Sequence, residues 1–275
     1  MVDALSQGST AIRQNYGNIV TDLDAVRTNL PDSDMDAALR MIWALERDPS
    51  TPLFVGSDSH QRVIFSNDTI RSFPILNPDG ETIGATFPSH ATDNHLGPPR
   101  WSRAGLDRVH QRYGVTSNAG QVSQWKQILG LGRSAPAPWA ENAKTETMLF
   151  SDAHGQPFGY EVGVVTEGEV RVVGVDGGNF GRVLATNPHI QRALDNHPVN
   201  LLLQLSCDPA AGPAAKAAAD ALHEASIGTD VWASKHQVDV YIDDSHRPVI
   251  RGLSVQPEPR SSEDHWAVYR APPDS

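Results

Sequence analysis

The sequence predicts an α/β protein built around a largely parallel sheet and preceded by a helical extension, and three observations predict it. "PVNLLLQLS", residues 198–206, is a near-continuous apolar run of the kind found in strands covered on both faces. From Thr145 onward, stretches of strand character alternate with stretches of helix character, as they do where helices pack on a parallel sheet. Before Thr51, by contrast, apolar residues recur at helical spacing.

The extension comes first. Ile12, Tyr16, Ile19, Leu23, Val26 and Leu30 follow one another at steps of four and three, which lines one helical face. A second helix is expected in "SDMDAALRMIWALER", with Ser33 as N-cap, Asp34 and Asp36 in the first turn, and Leu39, Ile42 and Leu45 on one face. Together they read as a helical hairpin over residues 1–50, packed on the body or offering residues 10–46 to a helical partner.

Residues 51–275 read as the α/β domain. Within 52–88, "PLFVG", "RVIFS" and "SFPILNPDGETIGATF" are short β-branched and aromatic runs, the last divided by the turn signal Asn77–Gly80. Residues 88–143 are irregular: "WSRAGLDRVHQRYG" and "VSQWKQILGLG" read as short helices, and "RSAPAPWAENA" as a connector. Over 144–258, "TETMLFS" is a strand running into "DAHG", and "EVGVVTEGEVRVVGV" is a hairpin turning at Glu167-Gly168. "NFGRVLATNPHIQRAL" reads as a helix, and "GVDGGNFG" before it as the turn entering that helix near Asn179. After the Leu201–Leu205 strand, a helix runs from Pro213 through Ala225, with proline in its first turn and an alanine-rich body. "GTDVWAS" and "QVDVYIDD" are further strands, and residues 264–271 form a C-terminal edge strand.

Composition narrows the function. With 39% hydrophobic and 20% charged residues, 22 glycines and 20 prolines, the chain reads as soluble, globular and rich in turns. A net charge of -11 argues against a nucleic-acid footprint, which needs a basic face. No apolar run is long enough to span a membrane, and the first residues do not resemble a secretory signal, so a cytoplasmic location is the default expectation, with signal-independent export left open. One cysteine cannot close an internal disulfide, which leaves Cys207 for packing or chemistry.

In parallel sheets the working residues sit at the C-terminal strand ends. Two strands end in reactive side chains here, one in His154 and the other in Cys207. A cysteine nucleophile needs a partner to become thiolate, and histidine is the usual supplier. Gly155 would let a backbone N–H approach a tetrahedral oxyanion with no side chain in the way. Each has a plain structural alternative: Cys207 as a packed core thiol, His154 as a turn cap. Asp152 and Asp208 flank the pair in sequence and could form an acidic substrate pocket or cap their loops.

Strand, His-Gly, hairpin, helix, apolar strand, Cys and helix, in that order, resemble the caspase-like cysteine peptidases. Closer still, "DAHGQP", "VRVVGVDGGNFGRVLATNP" and "LLLQLSCDPAAG" resemble the "lonely Cys" units of large actinobacterial proteins of polymorphic-toxin type, over roughly Ile70 to Arg270. The resemblance implies a caspase-like three-layer sandwich and a thiol protease acting on a protein or peptide, including its own chain, within a toxin, effector or defence system. It implies His154 as general acid and base, Cys207 as nucleophile, the backbone N–H groups of Gly155 and Cys207 as oxyanion hole, and no cofactor. The chain departs from many relatives in having Asp208 and Pro209, not glycine, after the cysteine, and it lacks "QACRG", so a caspase preference for aspartate does not carry over.

Other readings of the residues are less favourable. His90, Asp93 and His95 share a loop-like stretch but lack a further ligand at metal spacing. His236 follows Cys207 by 29 residues, as a papain-like order would need, yet the thiol follows a strand instead of opening a long helix. "GVDGGNFG" lacks the dinucleotide fingerprint. The non-enzymatic alternative is an α/β interaction module whose N-terminal helices bind a partner and whose Cys207 is core.

Overall fold

A computed structural model describes residues 52–273 apart from 60, 91–92, 94–107, 117–121, 128–134, 141–147, 167, 197, 243–247 and 256–264. The helical hairpin expected over residues 1–50 lies outside the described residues. The chain divides into the units Met1–Leu53 and Phe54–Ser275, and the described residues fall in the second, save Pro52 and Leu53 at its edge.

The early strands form as the turn signals require. β1 (Leu53–Asp58) and β2 (Gln61–Ser66) are neighbours, and β3 (Phe73–Leu76) pairs antiparallel with β4 (Thr82–Phe87). The turn between β3 and β4 is closed by the Asn77 N–H donating to the Glu81 carbonyl at 2.8 Å, with Gly80 at φ 87.

Where two helices were expected in the middle of the chain, the described residues form strands. β5 (Arg108–Thr116) and β6 (Val122–Gln127) pair antiparallel, with β7 (Ala135–Pro136) also on β5. In this segment Leu106, Val109 and Tyr113 stand at helical spacing, but Val109, Tyr113 and Val115 also fit a period of two. The choice is made 140 residues away, where β14 (Pro248–Val255) lies parallel to β5, aligning Arg251 with His110. With β13 (Gln237–Ile242) these strands make a second, five-stranded sheet in the order β13-β14-β5-β6, with β7 beside β5.

The main sheet has ten strands. β8 (Met148–Gln156) is its hub: its first half lies parallel to β4 on one side and to β11 (Leu201–Leu205) on the other, and its last three residues pair antiparallel with β9 (Gly159–Thr166). β12 (Asp230–Ser234) lies parallel to β11, and β15 (Trp266–Tyr269) closes that edge antiparallel, where an edge strand was expected. On the other side β9 leads to β10 (Glu169–Val175), β1 and β2. The sheet is therefore mixed, and its parallel part is confined to β4, β8, β11 and β12. Short turns such as Pro157-Phe158 and the one at Gly168, φ 85, force their flanking strands to run antiparallel.

Among the described residues three helices cover one face. α1 (Gly177–Thr186) begins two residues before the start expected near Asn179 and is capped by Asp176, whose Oδ1 accepts the Asn179 N–H at 2.7 Å. α2 (Pro188–Asn196) is a separate helix, not a continuation, because the residue before a proline is driven out of helical geometry; Asn187 has ψ 130. α3 (Ala214–Glu224) follows Pro213, as the alanine run predicts. Phe180, Val183 and Leu184 of α1, Ile190 of α2, and Ala218 and Leu222 of α3 bury Leu149, Ala153, Leu202 and Val231. On the opposite face Met148, Phe150, Leu201, Leu203 and Leu205 pack with Ile75, Ile83, Trp139, Trp232, Trp266 and Val109 of the second sheet. The Leu201–Leu205 run is buried along its whole length because both faces are covered. Among the described residues no helix is long and apolar enough to cross a membrane.

Candidate functional site

Side-chain alternation assigns faces. Met148 and Phe150 of β8, and Leu201, Leu203 and Leu205 of β11, all point to the side that carries Trp139 and Trp232. Asp152 and His154 continue the first series by twos, and Cys207 continues the second. The two strands pair from Leu201 with Met148 to Leu205 with Asp152, a constant offset of 53 (205 minus 152). The same offset separates Cys207 from His154. The ladder itself ends at Leu205 with Asp152: beyond it His154 pairs with Glu161 of β9, and Cys207 follows the end of β11, two residues before the turn Pro209–Ala211.

Gly155 shows how close these strand ends lie. A Cβ at Gly155 would stand 2.8 Å from Ser206 Cβ, 2.9 Å from the Cys207 carbonyl oxygen and 3.4 Å from the Cys207 nitrogen. The absence of a side chain is what lets β8 abut the Ser206-Cys207 backbone there.

The thiol is half-buried, and its bonds run to β13. The Val238 N–H points at Cys207 Sγ at 3.5 Å, and Sγ lies 3.4 Å from the Val238 carbonyl oxygen.

His154 is half exposed and held by a residue that sequence reasoning noted only as a weak metal candidate. Its Nε2 is 3.2 Å from Asp93 Oδ1, and its ring meets that of His90 edge to face with centroids 5.4 Å apart. Asp93 Oδ2 accepts the backbone N–H groups of Ser89 at 3.0 Å and His90 at 2.7 Å. His90 Nε2 in turn lies 3.3 Å from Glu161 Oε2, and Glu161 is the β9 partner of His154. Burial opposes ionisation of Asp93, but the His90 N–H, the bond to His154 and the two imidazoles outweigh it and hold its carboxyl below the ordinary range. In the sequence Asp93 stood out only through the loop-like stretch it shares with His90 and His95.

Asp152 and Asp208 have separate surroundings. Asp152 Oδ2 accepts the Thr86 hydroxyl at 3.1 Å, and burial pushes its carboxyl up to about 6 against the help of Thr86 and His154. Asp208 is also raised by burial, opposed by the charge of His236. Among the described residues no group of three or more His, Cys, Asp or Glu side chains could hold a metal ion. His236 sits in the turn between β12 and β13, its ring 4.7 Å from that of His265.

No protein-family model, no curated protein and no solved structure matches this chain.

Proposed function

We propose that this chain is a cysteine peptidase of caspase-like type that cleaves a peptide bond with Cys207 and His154. The observation that carries the reading is that β8 and β11 are parallel neighbours whose ladder ends at Leu205 with Asp152, so that His154 and Cys207 each come two residues after its C-terminal end. The parallel run β4, β8, β11, β12 with helices α1 to α3 on one face supports the caspase-like arrangement.

Cys207 gives its proton to His154, and the thiolate attacks the scissile carbonyl. The C–N bond breaks as the imidazolium returns the proton to the leaving amine, which leaves a thioester. His154 then takes a proton from water; the hydroxide displaces Cys207, the acid product departs and the thiol is restored. With Nε2 engaged by Asp93, Nδ1 is the nitrogen that exchanges protons. The Gly155 and Cys207 N–H groups are the oxyanion donors of this scheme. The substrate is a protein or peptide, this chain itself included, in a toxin, effector or defence setting.

A second reading has one observation in its favour. Cys207 Sγ is satisfied by both backbone groups of Val238, as a structural thiol in an inactive interaction module would be. Labelling with a panel of peptide chloromethyl ketones separates the two. Rapid labelling lost in Cys207→Ala and slowed roughly 100-fold or more in His154→Ala supports the peptidase. Labelling that requires denaturant, or that is indifferent to His154, overturns it.

A further inference from the structure

We infer that Asp93 is the positioning residue for His154, so that the working unit is Cys207, His154 and Asp93 and not a dyad. This rests on the peptidase reading above and adds to it a third group that fixes the tautomer and aim of the imidazole.

The geometry gives Asp93 little freedom. One carboxylate oxygen is taken by two backbone N–H groups, Ser89 at 3.0 Å and His90 at 2.7 Å, which leaves Oδ1 directed at His154 Nε2, 3.2 Å away. The turn that carries Asp93 is tied down a second time, because His90 bonds Glu161 and Glu161 stands opposite His154 on β9. The carboxylate and the imidazole are thus anchored to the same pair of strands.

The arrangement has a purpose for an exposed imidazole. His154 is about half open to solvent, and a ring there would sample several rotamers unless something held it. A proton kept on Nε2 by the carboxylate leaves Nδ1 as the acceptor for the thiol proton, and the negative charge stabilises the imidazolium once formed. Asp152 and Glu161 add negative charge nearby and His90 adds a second imidazole, and the Asp93 charge acts on Asp152 as well, so Asp93→Glu, which keeps the charge, is read beside Asp93→Asn.

Cys207 is the only cysteine, so the rate of its alkylation by chloroacetamide can be followed by intact mass from pH 4.5 to 9.5. Asp93→Asn is expected to move the acid limb of that profile up by about one pH unit, a roughly tenfold loss of rate near pH 6, while the rate above pH 9 stays at the parent value. Asp93→Glu is expected to recover most of the loss. If His154→Ala shifts the profile and Asp93→Asn superimposes on the parent, the positioning role is overturned and the Cys–His pair stands. If His154→Ala also superimposes on the parent, the pair itself fails, and this inference with it.

Discussion

Asp208 donates its backbone N–H to the carbonyl oxygen of His236 at 3.0 Å, and it does so from the left-handed region, with φ 57 and ψ 11. The residue after the cysteine therefore takes the conformation that glycine adopts at least cost, although the sequence offers aspartate there. Aspartate tolerates this region better than most residues. The chain then drops into a short 3-10 turn, Pro209–Ala211.

That geometry sets an order among variants at one position. Asp208→Gly should match or exceed the parent in stability, and Asp208→Val should lose roughly 1–2 kcal/mol, since a β-branched residue is strained at positive φ. Urea denaturation of the three proteins measures it. Equal stability of the glycine and valine forms would contradict the assignment of strain to this residue.

Gly155→Ala should damage both fold and site. The new methyl would meet Ser206 Cβ at 2.8 Å and the Cys207 carbonyl at 2.9 Å, contacts with no flexible side-chain end to yield. A loss of about 1–3 kcal/mol is expected, with slower alkylation of Cys207 at neutral pH. A variant as stable and as reactive as the parent would show that the two strand ends are not packed this closely.

Asp152 makes stability fall as pH rises. Burial raises its carboxyl to about 6, so the folded chain holds a proton that the unfolded chain has released above about pH 4. Its stabilising contribution is complete below pH 4 and is lost by the time pH passes 6. Asp152→Asn keeps an acceptor for the Thr86 hydroxyl and removes the charge. It should therefore stabilise the protein by up to about 3 kcal/mol at pH 8 and change little at pH 4, as thermal melts at the two pH values would show.

His265 acts in the opposite sense over an overlapping range. Its side chain is buried, and among the described residues neither ring nitrogen has a partner of good hydrogen-bond geometry. Burial first, then the charges of His236 and Lys235, push it down to about 4 against weak help from the Gln237 backbone. The unfolded chain binds a proton at about 6.5, the folded chain only near 4, so stability drops as pH falls through that window. His265→Phe should remove this acid-side loss, gaining more at pH 4.5 than at pH 8. In the parent the Asp152 and His265 slopes oppose each other between pH 4 and 6, and each single variant should expose the other.

Local burial patterns carried much of the fold into the sequence. The apolar run before Cys207, the Asn77–Gly80 turn, the hairpin turning at Gly168 and the alanine-rich α3 all appear where their residues predict, because each depends on neighbours within a few positions. His154, near the end of β8, and Cys207, two residues after β11, could be placed beside those strands for the same reason. β5 and β6 were not: a short stretch with apolar residues at both helical and alternating spacing has no preference of its own, and pairing with β14 supplied it. Asp93 was visible only as one member of a histidine-bearing loop. Its meaning depends on a strand 61 residues further on, to whose histidine it is bonded.

The sequence by itself determined which segments bury apolar surface and which residues at their ends can do chemistry. Only the tertiary structure decided the strand register, because hydrogen bonds between distant segments set it and composition does not. With that register β8 and β11 become parallel neighbours whose ladder ends two residues short of His154 and Cys207, and after β4 the Asp93 carboxylate comes to rest beside the imidazole.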